Sequence, residues 1–242
     1  MKLQHPRILA WAGEIVWCLL LILGLAGSAP AQSEPPDVGL VTQLSGEVVY
    51  WSEAGPKEPT PVQAFMKIRQ GDHLKLNPGS LIKLVFFASG RQELWNGPAT
   101  LKIGDTESLN EGTGPEAQAK PEVSTLPTKV TQRFSSNSVP MPRDRIGRSG
   151  VLQLRGAPKK VGPVTLTEEQ RQEIAKAKEL YLNLKKQTGG ADSTAELYLL
   201  NVLADYRQYK EMELIIQEMV QKQPNNKSII EMATWVKKQS GQ

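Results

Sequence analysis

At 242 residues the chain has room for one or two domains. An apolar share of 39%, with 17 prolines and 20 glycines, excludes a chain that is packed core from end to end. The formal charge of +4 is concentrated in the middle. Residues 32–119 carry 7 Lys/Arg against 11 Asp/Glu, residues 120–160 carry 9 against 2, and residues 161–242 carry 11 against 11.

Residues 1–31 read as a targeting segment. Lys2, His5 and Arg7 make a basic start, residues 15–26 (IVWCLLLILGLA) an apolar core, and Ala29-Pro30-Ala31 a small-residue cleavage site before Gln32. The rival reading is an uncleaved anchor over residues 8–27, since a span needs about 20 residues. Glu14 lies inside that window, where an acidic group costs roughly 2.5–3.5 kcal/mol. Either reading exports the remainder, to the periplasm or beyond, or leaves it outside an inner membrane on its anchor. The one cysteine, Cys18, lies in this segment behind the bulky Ile15-Val16-Trp17, which does not suit a lipidated cysteine. The exported part therefore holds no disulfide and must rest on an ordinary core, as suits a bacterial envelope protein.

Residues 33–37 form a polar, proline-containing spacer. Residues 38–51 then predict two short strands with Val41, Leu44, Val48 and Tyr50 inward and a bend at Gly46. A loop with three prolines follows over residues 52–61. Residues 68–103 carry the longest period-two alternation. Leu74 and Leu76 alternate with polar residues, as do Leu101 and Ile103 around Lys102. Turns are marked by Asn77-Pro78-Gly79-Ser80, Ser89-Gly90 and Asn96-Gly97-Pro98. Residues 81–87 are apolar on both faces except at Lys83, which predicts a buried central strand.

Taken in order, Gly46-Glu47-Val48, Gly71-Asp72, Leu74 and Leu76, Gly79-Ser80, the 81–87 strand, Ser89-Gly90 and residues 94–103 resemble the FecR-type domain. The resemblance covers about residues 38–103 and implies a small antiparallel all-β domain without catalytic residues. FecR regulators of sigma factors carry a cytoplasmic segment before their membrane helix. Only a few residues stand there in this sequence, so that mode of regulation is not expected to carry over.

From 104 to 163 the pattern dissolves. Residues 105–127 hold too few apolar side chains to offset the entropy of ordering, so 104–163 is expected to be a partly disordered basic linker. It includes a weak strand at 129–134 and a better one at 150–155 (GVLQLR), which would return to the meander as an edge strand. Thr167-Glu168-Glu169-Gln170 has the form of a capping box, with acidic residues in the first turn. Ile174, Ala177, Leu180, Tyr181 and Leu184 continue the helix until Thr188-Gly189-Gly190, and Ser193 is expected to cap the next.

Residues 193–226 form paired helices, marked by Leu197, Leu200, Leu203 and Ala204, then by Met212, Ile215, Ile216, Met219 and Val220. With Leu199, Tyr209 and Pro224 in place, the stretch resembles a degenerate tetratricopeptide repeat. Leu200, Met212 and Met219 stand where the family places small residues. A last helix over 229–238 carries Trp235, expected to cover the open end of a helical module spanning 165–239. The expected architecture is thus multidomain α+β: a FecR-like antiparallel β-domain, a basic linker and an all-α helical-hairpin module.

Chemistry is sparse. His73 is the exported part's one histidine; beside Asp72 on a strand, the two point to opposite faces and do not share a ligand. Glu47, Glu53, Asp72, Glu93 and Asp105 show no pairing across a cleft, and no phosphate loop, nucleophile elbow or zinc-protease helix is present. No catalytic residue, metal site or cofactor is therefore expected. Two binding sets are expected instead. Trp51 and Trp95 could stack on a sugar ring, with core or rim packing as the favoured alternative. Arg143, Arg145, Arg148 and Arg155, with Lys159 and Lys160, could meet an anionic envelope surface, with a solvated linker as the alternative. Export disfavours nucleic acid. A protein partner or self-association through the helical module is the leading expectation. Recognition of cell-wall glycan or an anionic envelope polymer by the β-domain and linker is the second.

Overall fold

The computed structural model describes residues 35–53, 55, 57–135, 139 and 165–241. The segment 1–31, the arginines 143, 145, 148 and 155 and the strand expected at 150–155 lie outside them. The β region consists of β1 (Asp37–Ser45), β2 (Val48–Ser52), β3 (Thr60–Pro61), β4 (Lys67–Arg69), β5 (Asp72–Leu76), β6 (Leu81–Phe86), β7 (Arg91–Asn96), β8 (Ala99–Ile103), β9 (Ser108–Asn110) and β10 (Glu122–Thr125). They form two antiparallel sheets. Sheet A runs β10-β7-β6-β1-β4 and sheet B runs β3-β2-β5-β8-β9.

Alternation decides what lies between the sheets. Val41, Val48, Tyr50, Leu74, Leu76, Ile82, Leu84, Phe86, Leu101 and Ile103 share one core there, while Leu44 packs at its margin. The β1–β2 turn uses Gly46 at φ +74°, where a Cβ would also stand 2.8 Å from the Ser80 Cα. β6 is the middle strand of sheet A, and Val85 on its other face belongs to the helical core with Leu40 and Phe65. Phe65 keeps φ +65°, a conformation that costs about 1–3 kcal/mol, and its buried ring helps offset that cost.

Residues 104–135 are not a linker. β9 pairs with β8, a short 3₁₀ turn spans Gly114–Gln118, and β10 pairs with β7 from Glu122↔Leu94 to Thr125↔Arg91. Order here comes from edge pairing and local hydrogen bonds: the Asn110 amide donates to the carbonyls of Glu116 at 2.7 Å and Ala119 at 3.0 Å. Such bonds leave no hydrophobic trace in the sequence. The strand expected at 129–134 is instead helix α1 (Thr128–Ser135). Val130 and Phe134 are buried four residues apart, which is one helical face.

The remaining helices are α2 (Glu168–Gln187), α3 (Thr194–Asp205), α4 (Tyr209–Lys222) and α5 (Lys227–Gln239). α2 starts at the expected capping box, with the Thr167 hydroxyl accepting from the Gln170 N–H and the Gln170 side chain accepting from the Thr167 N–H. α3 does not start as expected. Ser193 makes no side-chain cap; Asp192 Oδ1 accepts from the Thr194 N–H at 2.9 Å and its hydroxyl at 2.6 Å. Asn226 caps α5, accepting from the N–H groups of Ser228 and Ile229.

The β and helical parts fall in one compact unit, Pro35–Gln242. Three contacts fasten the start of α3 to sheet A. Lys83 reaches Asp192 at 2.7 Å, Gln92 donates to the Thr194 hydroxyl at 3.4 Å, and the Ser193 N–H donates to the Thr42 carbonyl at 3.2 Å. Thr42 is free to do so because the β1–β6 register shifts between Val41 and Gln43, a bulge that leaves it outside the ladder. Lys83, the polar exception in an apolar strand, is therefore the docking contact for the helices. α3 is buried along its length from Thr194 to Ala204, and its neighbours include α1, α2, α4 and β1.

Candidate functional site

Among the described residues, the sequence-derived candidates do not converge. Trp95 is 2% exposed and lies between the sheets, its indole N–H donating to Glu93 at 3.0 Å and to Ser108 at 2.9 Å. Core packing, not ligand stacking, is its place. Glu93, fully buried, also accepts from Arg91 at 2.6 Å and from the Ser108 hydroxyl, tying β7 to β9 across the end of the sandwich. Asp72 is buried too, its carboxylate accepting the Arg69 N–H at 2.8 Å and closing the β4–β5 turn.

Trp51 faces outward. On sheet B it pairs with His73, and the rings stack with centroids 5.3 Å apart and planes 9° from parallel. His73 Nδ1 lies 3.2 Å from Glu111, and Lys102 is the next cross-strand neighbour. Half-exposed Trp51, exposed Lys75 and half-exposed Lys102 thus lie on one outer sheet face. Among the described residues, no group of three or more His, Cys, Asp and Glu comes together to hold a metal. No described helix is long and apolar enough to cross a membrane.

Three concavities accompany the helices. A cleft of about 900 Å³ over α1, α2 and α3 is floored by Ala177, Leu180, Tyr198 and Val202. Arg133 at its rim bonds both Glu173 and Asp205, and the Tyr206 hydroxyl donates to Glu173 at 2.5 Å. Burial raises the Tyr198 phenol above its ordinary value, and the Glu173 hydrogen bond raises that of Tyr206. Both are neutral hydroxyls at physiological pH and can donate or accept hydrogen bonds. A second cleft, of about 680 Å³, separates the β1–β2 turn from the α4–α5 turn and has a mixed lining, with Leu44, Val62 and Ala64 beside Gln63, Asn225 and Ser228. Its Asn226 is occupied in capping α5 and its Gln223 in bonding Asn226 and Ala191.

The third is a groove of about 390 Å³ between α4 and α5, walled by Ile216, Gln217, Val220, Ala233 and Val236 with Glu213 and Lys237 at its end. Trp235 does not cover it; the ring packs edge-on to Tyr209, 6.0 Å away. The sequence held one signal for this groove. Val220 widens the apolar face of α4 beyond the Met212, Ile216 and Met219 that pack into the core around α3.

Comparison with family models finds no match, and comparisons with curated proteins and with solved structures find none.

Proposed function

We propose that this chain is a non-catalytic, exported scaffold of a bacterial envelope that binds a protein partner through its helices. The observation that carries the reading is the open α4–α5 groove on helices fastened to a rigid sandwich. A binding surface held by a buried lysine–aspartate contact and a shared core costs little ordering entropy when a partner docks. In this reading the sandwich is a FecR-type domain, supported by Gly46-Glu47-Val48, Gly71-Asp72 and Gly79-Ser80. The hairpins are a degenerate tetratricopeptide unit, supported by Leu199, Tyr209 and Pro224. Export rests on the basic start, apolar core and Ala29-Pro30-Ala31 of residues 1–31. The test is affinity capture from cross-linked envelopes with the full chain as bait. A specific partner is expected; none recovered, with a monomer in solution, ends the proposal.

A second reading has its own observation. The stacked Trp51–His73 pair beside Lys102 and Lys75 offers an aromatic face and cations to a glycan or anionic envelope polymer. The basic run Arg143, Arg145, Arg148 and Arg155 would add to it by charge alone. Co-sedimentation with purified wall material at low salt, reduced by Trp51→Ala, is the expected result; no co-sedimentation removes this reading.

A further inference from the structure

The helices repeat one arrangement, and the repeat is filled at one end and open at the other. α4 runs parallel to α2, with Glu211 paired to Lys178 at 2.7 Å and Glu218 paired to Lys185. Its buried Met212, Ile216 and Met219 join the core that surrounds α3. So α4 occupies the seam beside α2 and α3.

Helical periodicity shows what α4 offers in turn. On α2 the two wall lysines each follow a buried residue: Lys178 follows Ala177 and Lys185 follows Leu184. On α4 the same positions after the buried Met212 and Met219 are Glu213 and Val220. Both line the α4–α5 groove, on the side of α4 away from α2. α4 therefore presents to the groove the flank that α2 presents to α4. Among the described residues no helix fills it.

We propose that the groove seats an amphipathic helix of a partner protein, parallel to α4, with an apolar stripe like that of α4 and a changed charge pattern. Where α4 carries Glu211 to meet Lys178, the partner carries Lys or Arg to meet Glu213. Where α4 carries Glu218 to meet Lys185, the partner carries an apolar residue to meet Val220. The groove continues an interface already built into the chain, and on the α4 wall Lys178 is exchanged for Glu213, which accepts one hydrogen bond from the Ser240 hydroxyl at 2.5 Å and shares the groove's end with Lys237. The carboxylate sets the sign of the contact on that wall. This rests on the scaffold reading and adds the site and the chemistry of its partner.

The probe is a stapled helical peptide of residues 209–222 in two forms, the native sequence and one with Glu211→Lys and Glu218→Leu. Fluorescence anisotropy against the full chain is expected to give at least tenfold tighter binding for the altered form. That binding should fall at least tenfold in Gln217→Arg, an exposed wall residue whose replacement leaves the fold intact by circular dichroism. Equal binding of the two peptides, or binding unaffected by Gln217→Arg, overturns the proposal. A dimer of the chain that dissociates on Gln217→Arg in sedimentation velocity also overturns it, since a second copy would then be the occupant. Envelope capture that still recovers a partner with Gln217→Arg overturns the groove assignment and leaves the scaffold reading standing; capture of nothing ends both.

Discussion

Two tryptophans with the same appearance in sequence have opposite surroundings. Trp95 is sealed between the sheets with its N–H shared by Glu93 and Ser108, whereas Trp51 sits half-exposed on the outer face of sheet B. Trp95→Ala is expected to cost about 3–5 kcal/mol in urea denaturation, because it leaves a cavity and removes one of the donors to the buried Glu93. Trp51→Ala should shift stability by only about 0.5 kcal/mol. Glu93→Ala, removing the acceptor shared by Arg91, Trp95 and Ser108, should cost about 3 kcal/mol by the same assay. None of this could be read beforehand. Both rings lie toward strand ends, and burial there depends on whether β9 closes over the strand, which a three-residue polar segment does not announce.

At the level of elements, the helices were the more legible part. The capping box at Thr167, the break near Arg207 and the stop before Pro224 all stand where the pattern placed them, because they are local. The cap of α3 was misassigned to Ser193, since the choice of Asp192 depends on Lys83, far away in sequence. Residues 129–134 misled because Val130 and Phe134 fit a strand by composition and a helix by spacing. The α2–α4 contact gives a pH prediction. The Lys185 hydrogen bond, with help from Lys222 and against burial, holds the Glu218 carboxyl below its ordinary value of 4.5. Its contribution is complete above that value in the unfolded chain and fades as pH falls through the depressed folded value. For Lys185, burial acts downward, but hydrogen bonds with Glu218 and Tyr181 raise it above 10.5, so its share is lost only in strong alkali. Thermal melts by circular dichroism should show Tm falling below pH 4.5, with Glu218→Gln flattening part of that acid limb. The pair is about one-third exposed, so the effect is about 1 kcal/mol or less.

For the whole molecule, the two-sided apolar character of β6 was visible, and a central strand follows from it. Which element covers its second face was not visible, because the covering α3 begins more than a hundred residues later. The helices and sandwich share a core through Leu40, Phe65 and Val85, so tryptophan fluorescence and far-ultraviolet circular dichroism should report one coincident urea transition. Two resolved transitions would mean independent modules. Asp192→Ala, which leaves Lys83 unpaired against the sheet, should lower the stability read from that single transition by about 3 kcal/mol.

The burial of α3 from Thr194 to Ala204 has a kinetic consequence. A helix buried from Thr194 to Ala204, walled by three helices and a sheet, does not open readily by itself. Its amide hydrogens can exchange with solvent only when the whole unit comes apart. Deuterium uptake in α3 should therefore be as slow as in β6, even though the two differ in secondary structure and are far apart in the chain. β10, exposed at all four residues, should exchange far sooner. The α4–α5 groove would then be anchored on the part that moves last.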